Sequence, residues 1–153
     1  MASSQKRITK EFAEVSQDPP AGMSVSLVNE SNVHEWNVFM EGPEGTPYAG
    51  GKFKLLLVLP TEYPFKAPTL NFKTKIWHPN VTFDEKGSMC LGMLKGEVWK
   101  PSSRIMSILT AAQQLLVEPN PDDAVEASIA QKLKEDKAGF NKEAQEYTKK
   151  YAK

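Results

Sequence analysis

Apolar positions recur along the chain at spacings that separate helical from extended regions. Near the N-terminus, Ile8, Phe12 and Val15 follow the spacing of a helix with one apolar face. The helix should end at Asp18, because proline restricts the residue before it and cannot continue the helical hydrogen bonds. The pattern therefore predicts an N-terminal helix.

The next four segments have the patterns of strands. Apolar and polar residues alternate around Val25 and again around Val38, and the polar run 29–32 fits the turn between these two strands. Residues 52–59 form a strongly apolar run, and 69–73 form one more short strand. A parallel crossover needs a dozen or more residues, so the short links predict an antiparallel meander.

Helical spacing returns after a stretch, 76–101, that has little periodicity. A wide apolar stripe predicts a second helix, capped by Ser102 or Ser103. The stripe consists of Ile105, Ile108, Leu109, Ala112, Leu115 and Leu116. The run 119–123 is a strong turn, and two more helices are predicted beyond it, with Gly139 between them. The first of these is predicted to carry Val125, Ile129 and Leu133. The predicted order is that of an α+β domain: one helix, then strands, an irregular segment and further helices.

The composition is that of an ordinary globular protein. The 153 residues are 40% hydrophobic and 25% charged, which suits a single domain spanning 1–153. The 19 basic and 19 acidic residues cancel, so the charge predicts neither a nucleic-acid nor a membrane partner. The longest apolar run, 55–59, is too short to cross a bilayer, and the first residues lack the apolar core of a secretory signal. We expect a cytosolic or nuclear protein.

Cys90 is the only cysteine, so an internal disulfide and a multi-cysteine metal site are excluded. A lone cysteine is more often a small buried hydrophobic residue than a nucleophile. Two features favour a nucleophile at this position. Cys90 lies outside the periodic segments, and Gly87 and Gly92 would let the backbone place the sulfur at a surface.

The two histidines give Cys90 no evident catalytic base. His34 is expected in a turn before a strand, in a solvated or structural role. His78 stands before Pro79 and Asn80, and organising the loop through its ring nitrogens is favoured over general-base catalysis. A protease of the papain or caspase type would need a histidine beside the thiol. Transthiolation has no such need, because the incoming acyl group is already an activated thioester.

A phosphate-binding loop and a metal site are both poorly supported. The glycines of 45–52 are misplaced for a Walker loop, and no serine or threonine follows Lys52. Histidine, aspartate and glutamate do not cluster at metal-ligand spacing, so no metal is expected.

A set of short motifs in fixed order resembles the ubiquitin-conjugating enzyme family. His-Pro-Asn stands shortly before Cys-Leu, and Trp-x-Pro follows; the combination is highly specific, whereas each piece alone would be weak. The resemblance runs from the first predicted helix to the last. The motifs are Tyr63–Phe65, Lys75–Asn80, Gly87–Leu91, Trp99–Pro101 and Pro119–Asp123.

The resemblance implies a UBC-like fold, in which a four-stranded antiparallel meander carries an N-terminal helix and three C-terminal helices. It also implies an acyl carrier without a cofactor of its own. An activating enzyme, which uses ATP, would hand ubiquitin to Cys90, and a RING- or HECT-type ligase would direct it to a substrate lysine or a ligase cysteine. A monomer is expected. Two alternatives stay open: a ubiquitin-like modifier as cargo, and a non-catalytic binding protein of the same fold. The cysteine argues against the second, because such relatives characteristically lack it.

The resemblance also assigns roles around Cys90. Asn80 matches the asparagine credited with supporting the active-site loop and with binding the oxyanion formed under amine attack; both roles are open. Asp123 matches the acidic residue near the attacking amine, where it would orient the ammonium and help remove its proton. The alternative for Asp123 is a charge at a helix N-terminus. The residues expected to shape the site are His78, Pro79 and Leu91.

Two surfaces are implied as partner contacts. The first is a docking surface for the ligase and the activating enzyme, with Phe65 as its hot spot; the alternative for Phe65 is packing under its own loop. The other members of this docking surface are Lys6, Arg7, Lys10, Pro101 and Ser102. On an early strand, Ser24 matches a noncovalent ubiquitin contact, and the alternative is an ordinary exposed serine.

Two departures from the family pattern bear on the site. Between Asn80 and Cys90 the chain carries about two residues more than family members usually have, through 82–86, which loop-closure entropy tolerates at little cost. Gly92 follows Cys-Leu where several members place aspartate. The first departure leaves the reach of Asn80 to Cys90 open, and the second changes the charge beside the thiol.

Overall fold

The computed structural model describes residues 2–153 and contains four helices and four strands in the predicted order. The helices are α1 (Ala2–Gln17), α2 (Ile105–Val117), α3 (Ala127–Glu135) and α4 (Lys137–Tyr151), and the strands are β1 (Met23–Asn29), β2 (Asn32–Glu41), β3 (Lys52–Val58) and β4 (Thr69–Phe72). Two 3-10 turns lie in the irregular segments, at Gly92–Leu94 and Pro121–Asp123. The predicted α+β class is confirmed. Within residues 2–153, no helix is long and apolar enough to span a membrane.

The four strands form one antiparallel sheet in chain order, as the short links predicted. The register places Trp36 of β2 between Leu27 of β1 and Leu57 of β3. Side chains alternate between the two faces of a strand, so Trp36 is fully buried while Phe39 stays 44% exposed on the other face. The sheet therefore has one buried and one solvated face.

The helices α1 and α2 supply much of the core. Ile8 and Val15 of α1 are buried, and the ring of Phe12 meets that of Trp36 edge-on with centroids 5.0 Å apart. Burying one such side chain contributes about 1.5–3 kcal/mol, which is why apolar periodicity predicts the inward face. The buried residues of α2 are Ile105, Ile108, Leu109, Ala112 and Leu116.

The start of α2 differs from the prediction. Its N-terminal boundary residue is Arg104, and neither Ser102 nor Ser103 caps the helix with its side chain. The amide of Ile105 instead donates to Oε1 of Glu11 on α1, at 2.8 Å. A free amide at a helix start needs a partner, and here the partner comes from an element far away in the chain.

The boundary between α3 and α4 also differs from the prediction. Val125 precedes α3, which starts at Ala127, and is 43% exposed. Gly139 lies inside α4, and the break between the helices falls at Asp136, whose side chain accepts from the amide of Gly139 at 3.0 Å. Aspartate is a preferred N-terminal cap because its carboxylate satisfies a free amide, so Asp136 sets the boundary.

His34 lies within β2 and not in the turn before it. Its Nδ1 lies 2.9 Å from the carbonyl oxygen of Leu59. This contact joins β2 to the segment after β3, which is a structural role.

Candidate active site

Cys90 lies at the end of the irregular segment after β4, just before the 3-10 turn Gly92–Leu94. Its thiol is free and half-buried. The backbone amide of Cys90 donates to the carbonyl oxygen of Asn80 at 2.8 Å. The next residue, Leu91, is 7% exposed and belongs to the hydrophobic core. A backbone hydrogen bond and a buried leucine therefore hold the sulfur near the surface.

Residues 81–89, the approach loop, fold back on themselves between Asn80 and Cys90. Oδ1 of Asp84 accepts from a side-chain hydroxyl and from two backbone amides, one of them that of Gly87 at 3.0 Å. These hydrogen bonds hold the pKa of the Asp84 carboxyl below its ordinary value. Because the loop closes locally, its additional residues leave Asn80 and Cys90 in direct backbone contact.

Phe83 anchors the approach loop to the C-terminal helix. Its ring centroid lies 5.0 Å from that of Tyr147 and 6.2 Å from that of Tyr151. The Nζ atom of Lys75 lies 4.4 Å from the centroid of the Phe83 ring, within cation–π range. The amide of Phe83 also donates to Oε2 of Glu126 at 2.8 Å. The lengthened loop is thus packed against α4.

His78 is fully buried and makes two hydrogen bonds through its ring. Nε2 lies 2.8 Å from the carbonyl oxygen of Leu115 in α2, and Nδ1 accepts from the amide of Asn80 at 2.9 Å. A carbonyl oxygen can only accept, so this network assigns the ring proton to Nε2. Burial lowers the pKa of His78 to about 4, against the opposing effect of the Leu115 bond. The neutral ring therefore has no free nitrogen to offer to Cys90.

Asn80 is 1% exposed, and its side chain joins two loops. Nδ2 donates to the carbonyl oxygens of Asn120 at 2.8 Å and Asp123 at 3.0 Å, and Oδ1 accepts from the amide of Asn120 at 2.9 Å. Beside it, the carbonyl oxygen of Pro79 accepts from the amide of Val125 at 2.9 Å. Both amide hydrogens of the Asn80 side chain are therefore used within the protein.

Asp123 ends the 3-10 turn Pro121–Asp123, with its carboxylate beside the thiol. Its Oδ2 accepts from Sγ of Cys90 and from Nζ of Lys95, each at 3.2 Å. These two partners hold the pKa of Asp123 below its ordinary value. The helix α3 begins only at Ala127, so Asp123 is not a charge at the N-terminus of that helix.

Lys95 belongs to this cluster, although its local sequence does not mark it. Lys95 directly follows the 3-10 turn after Cys90, and only the folded chain brings its side chain to Asp123. The side chains of Lys95 and Asp123 are each 44% exposed, so their ion pair adds little to stability.

Burial and the Asp123 carboxylate raise the pKa of Cys90 above its ordinary value, and Lys95 opposes them. Cys90 is therefore mostly a thiol at neutral pH.

The docking surface contains the most exposed large hydrophobic side chain in the described part of the chain. Phe65 is 79% exposed, so the alternative that it packs under its own loop is wrong. The indole of Trp99 donates to the carbonyl oxygen of Pro64 at 2.8 Å, which joins the loop of Phe65 to the segment leading to Pro101 and Ser102. Both of these residues are exposed.

The three basic residues predicted for the docking surface differ in exposure. Lys6 and Lys10 are exposed on α1, whereas Arg7 is half-buried. Nε of Arg7 donates to Oε2 of Glu11 at 3.1 Å, and Nη2 donates to the carbonyl oxygen of Ser103 at 2.9 Å. The guanidinium of Arg7 therefore holds α1 against the segment before α2.

Ser24 lies on the outer face of the sheet. It is exposed in β1 and pairs with Phe39 of β2, which in turn pairs with Lys54 of β3. A polar, an apolar and a basic side chain therefore lie side by side across three strands.

Known proteins are similar to this chain along almost its whole length. The family model described as ubiquitin-conjugating enzyme matches residues 7–148. The chain is 44% identical over 151 residues to ubiquitin-conjugating enzyme E2 14 of Schizosaccharomyces pombe, with 99% of this chain and 96% of that protein covered. It is 41% identical to ubiquitin conjugating enzyme E2 B of Dictyostelium discoideum, with 99% of each covered.

A solved structure, the E2 domain of a ubiquitin conjugating enzyme from Toxoplasma gondii, superposes with a TM-score of 0.87. It is 39% identical in sequence, and the match covers 97% of this chain and 99% of that one. The UBC fold is thereby confirmed. Because the similar proteins are enzymes matched over their whole length, this chain is a transferase, and the alternative of a non-catalytic binding protein is wrong. The chain belongs to the ubiquitin-conjugating enzyme family.

Proposed function

We propose that Cys90 accepts ubiquitin as a thioester and holds it until the ubiquitin passes to a substrate lysine or to a ligase cysteine. The observation that carries this proposal is a half-buried free thiol whose side-chain partner is Asp123 and not a histidine; both ring nitrogens of His78 are occupied elsewhere. Such a thiol suits exchange with a thioester, where the electrophile is already activated.

In the charging step, the thiolate of Cys90 attacks the thioester carbonyl that links ubiquitin to the activating enzyme. A new carbon–sulfur bond forms, the thiolate of the activating enzyme leaves, and the proton of Cys90 passes to solvent. Only the thiolate is nucleophilic, and the raised pKa of Cys90 keeps most of the protein in the thiol form. ATP is consumed by the activating enzyme, and we assign no cofactor to this chain.

In the transfer to lysine, Asp123 receives the acceptor. Charging replaces the S–H hydrogen of Cys90 by an acyl group, so Oδ2 of Asp123 loses one of its two donors. An incoming ammonium takes that place beside the thioester carbonyl. The carboxylate orients the amine and assists loss of its proton, the amine attacks the carbonyl, and the Cys90 thiolate leaves. Lys95 still donates to Oδ2 after charging, and its hydrogen bond and positive charge continue to lower the pKa of Asp123, so the carboxylate stays ionised for this step.

For Asn80 we assign loop bracing. Its Nδ2 could bind an oxyanion only by giving up a hydrogen bond to Asn120 or Asp123. Asn80 bonds through its side chain to the segment that carries Asp123 and through its backbone to Cys90, so it sets the position of the carboxylate relative to the thiol.

The partners proposed are ubiquitin, a ubiquitin-activating enzyme, RING- or HECT-type ligases and substrate proteins. We assign ligase contact to the docking surface, because Phe65 is an exposed aromatic side chain, and because Lys6 and Lys10 are exposed on α1, the helix whose Ser4 bonds to the loop of Phe65. We assign Ser24, on the outer face of the sheet, to the noncovalent ubiquitin contact. We propose a monomer that acts in the cytoplasm or the nucleus.

The charging reaction tests the proposal. The chain is mixed with activating enzyme, ATP and ubiquitin, and in parallel with ubiquitin-like modifiers. We expect a thiol-sensitive adduct with ubiquitin, no adduct with Cys90→Ala, and a more stable oxyester with Cys90→Ser. An adduct on Cys90→Ala, or none with any modifier, would contradict the assignment; an adduct with another modifier alone would change the cargo.

A further inference from the structure

Glu11 is a buried carboxylate that has no part in the chemistry at Cys90. It lies in the middle of α1 and is 5% exposed. A carboxylate removed from water is costly unless its oxygens accept hydrogen bonds. Oε1 accepts from the amide of Ile105 at 2.8 Å, and Oε2 accepts from the hydroxyl of Tyr63 at 2.5 Å and from Nε of Arg7 at 3.1 Å. Three donors from three segments therefore meet on one side chain.

The partners of Glu11 lead to the two separate loops of the docking surface. Tyr63 belongs to the loop between β3 and β4, which also contains the exposed Phe65. Ile105 begins α2 directly after the loop that contains Pro101 and Ser102. One carboxylate thus connects α1 to both loops, across sequence separations of 52 and 94 residues.

Neighbouring contacts fix each loop individually. The hydroxyl of Ser4 donates to the carbonyl oxygen of Tyr63 at 2.6 Å, and the centre of the Arg7 guanidinium lies 5.3 Å from the centroid of the Tyr63 ring. Nη2 of Arg7 donates to the carbonyl oxygen of Ser103 in the second loop. Burial and the hydrogen bond to Glu11 raise the pKa of Tyr63, so its hydroxyl stays a donor at any physiological pH.

We propose that Glu11 is a positioning residue for ligase binding: it sets the separation between the loop of Phe65 and the loop of Pro101 and Ser102 without touching the ligase itself. The proposal rests on the assignment of ligase contact to the docking surface. A ligase that contacts both loops binds best when their separation is fixed beforehand, because a mobile pair of loops must be ordered at the expense of affinity.

Two variants test the proposal on the full chain charged with ubiquitin. Tyr63→Phe removes one hydroxyl and keeps the ring, and Glu11→Gln keeps the shape but removes the charge that binds Arg7. Discharge to lysine is measured against the concentration of a RING-type ligase domain that stimulates the wild type. We expect the half-saturating ligase concentration to rise by roughly 5-fold, while the rate at saturating ligase stays close to that of the wild type.

A matched control and a comparison variant make the outcome decisive. Glu146→Gln removes the same charge from an exposed site on α4 and should leave the ligase curve unchanged. Melting temperatures identify variants that are folded at the assay temperature, and Tyr63→Phe decides the matter if Glu11→Gln does not fold. The proposal is overturned if both curves match the wild type, or if only the saturating rate falls.

Phe65→Ala separates failure of this proposal from failure of the docking surface. If Phe65→Ala raises the half-saturating concentration and the two variants do not, the docking surface stands and Glu11 has no positioning role. If Phe65→Ala also has no effect, the assigned docking surface is itself wrong.

Discussion

At the scale of single residues, the side chains around Cys90 differ in how much of their hydrogen-bonding capacity is already used. His78 and Asn80 are buried, and every donor and acceptor that they direct at the loops has a partner. Asp123 and Lys95 are partly exposed, so a molecule in solution can reach them. The buried pair holds the site, and the exposed pair is available to the reaction.

The charges beside the thiol should shift its ionisation in opposite directions. The negative charge of Asp123 disfavours the thiolate, so Asp123→Asn should lower the pKa of Cys90; the positive charge of Lys95 favours it, so Lys95→Met should raise the pKa. The pH dependence of Cys90 alkylation measures both shifts. Lys149→Met, at an exposed site on α4, is the charge-matched control. Shifts of the same sign in the first two variants would rule out this electrostatic account.

The proposed role of Asp123 predicts a difference between acceptors. Asp123→Asn should slow discharge onto free lysine by roughly 10-fold or more, because oriented proton transfer is lost, whereas discharge onto a thiol should change little. Both rates are followed on the same charged enzyme by loss of the thioester. Equal slowing with the two acceptors would show that Asp123 does not act on the amine.

At the scale of elements, the approach loop shows how a longer connection still brings the backbone of Cys90 back to that of Asn80. Its residues satisfy their own polar groups through Asp84, and Phe83 ties them to α4. The two glycines that flank the cysteine motif, Gly87 and Gly92, contribute unequally. Gly87 has a φ of 55°, and a Cβ there would lie 1.9 Å from the carbonyl oxygen of Phe72. A Cβ on Gly92 would meet nothing within 4 Å.

The two glycines form a matched pair for mutation. Gly87→Ala should destabilise the protein by at least about 1–2 kcal/mol, from the positive φ and from the clash, and should slow charging because the loop must move. Gly92→Ala should stay within about 0.5 kcal/mol of the wild type. Denaturant unfolding and single-turnover charging measure both quantities. Similar losses in the two variants would contradict the loop geometry.

At the scale of the whole molecule, His78 makes stability depend on pH. Its pKa is lowered to about 4 in the folded protein, whereas an unfolded histidine titrates near 6.5. The unfolded chain therefore binds a proton that the folded protein excludes as the pH falls from 6.5 toward 4. Stability from this group is complete above pH 6.5 and is lost progressively below it.

The expected loss is about 2 kcal/mol of unfolding free energy between pH 7.5 and pH 5. Urea unfolding at both pH values measures it, and His78→Gln serves as reference because the other titrating groups are retained. The wild type should lose more stability on acidification than the variant by about this amount. An identical pH dependence in both proteins would mean that His78 is not the group responsible.

The local pattern of residues determined the elements and their order. Periodicity at Ile8, Phe12 and Val15 predicted α1, alternation predicted the strands, and the apolar stripe predicted α2. The motifs around Cys90 were likewise sufficient to identify the family. These features are short-range: periodicity shows which face of an element is buried, and a motif is contained in a few consecutive residues.

Contacts between distant segments were decided only by the tertiary structure. The amide at the start of α2 donates to Glu11, 94 residues away in the chain, and not to Ser102 or Ser103. Lys95 donates to Asp123 across 28 residues. Asp123 in turn accepts from Cys90 across 33 residues. Which donor reaches which acceptor depends on how the helices, the sheet and the loops pack together, and that packing minimises the energy of the whole chain. Local periodicity carries no information on these pairings.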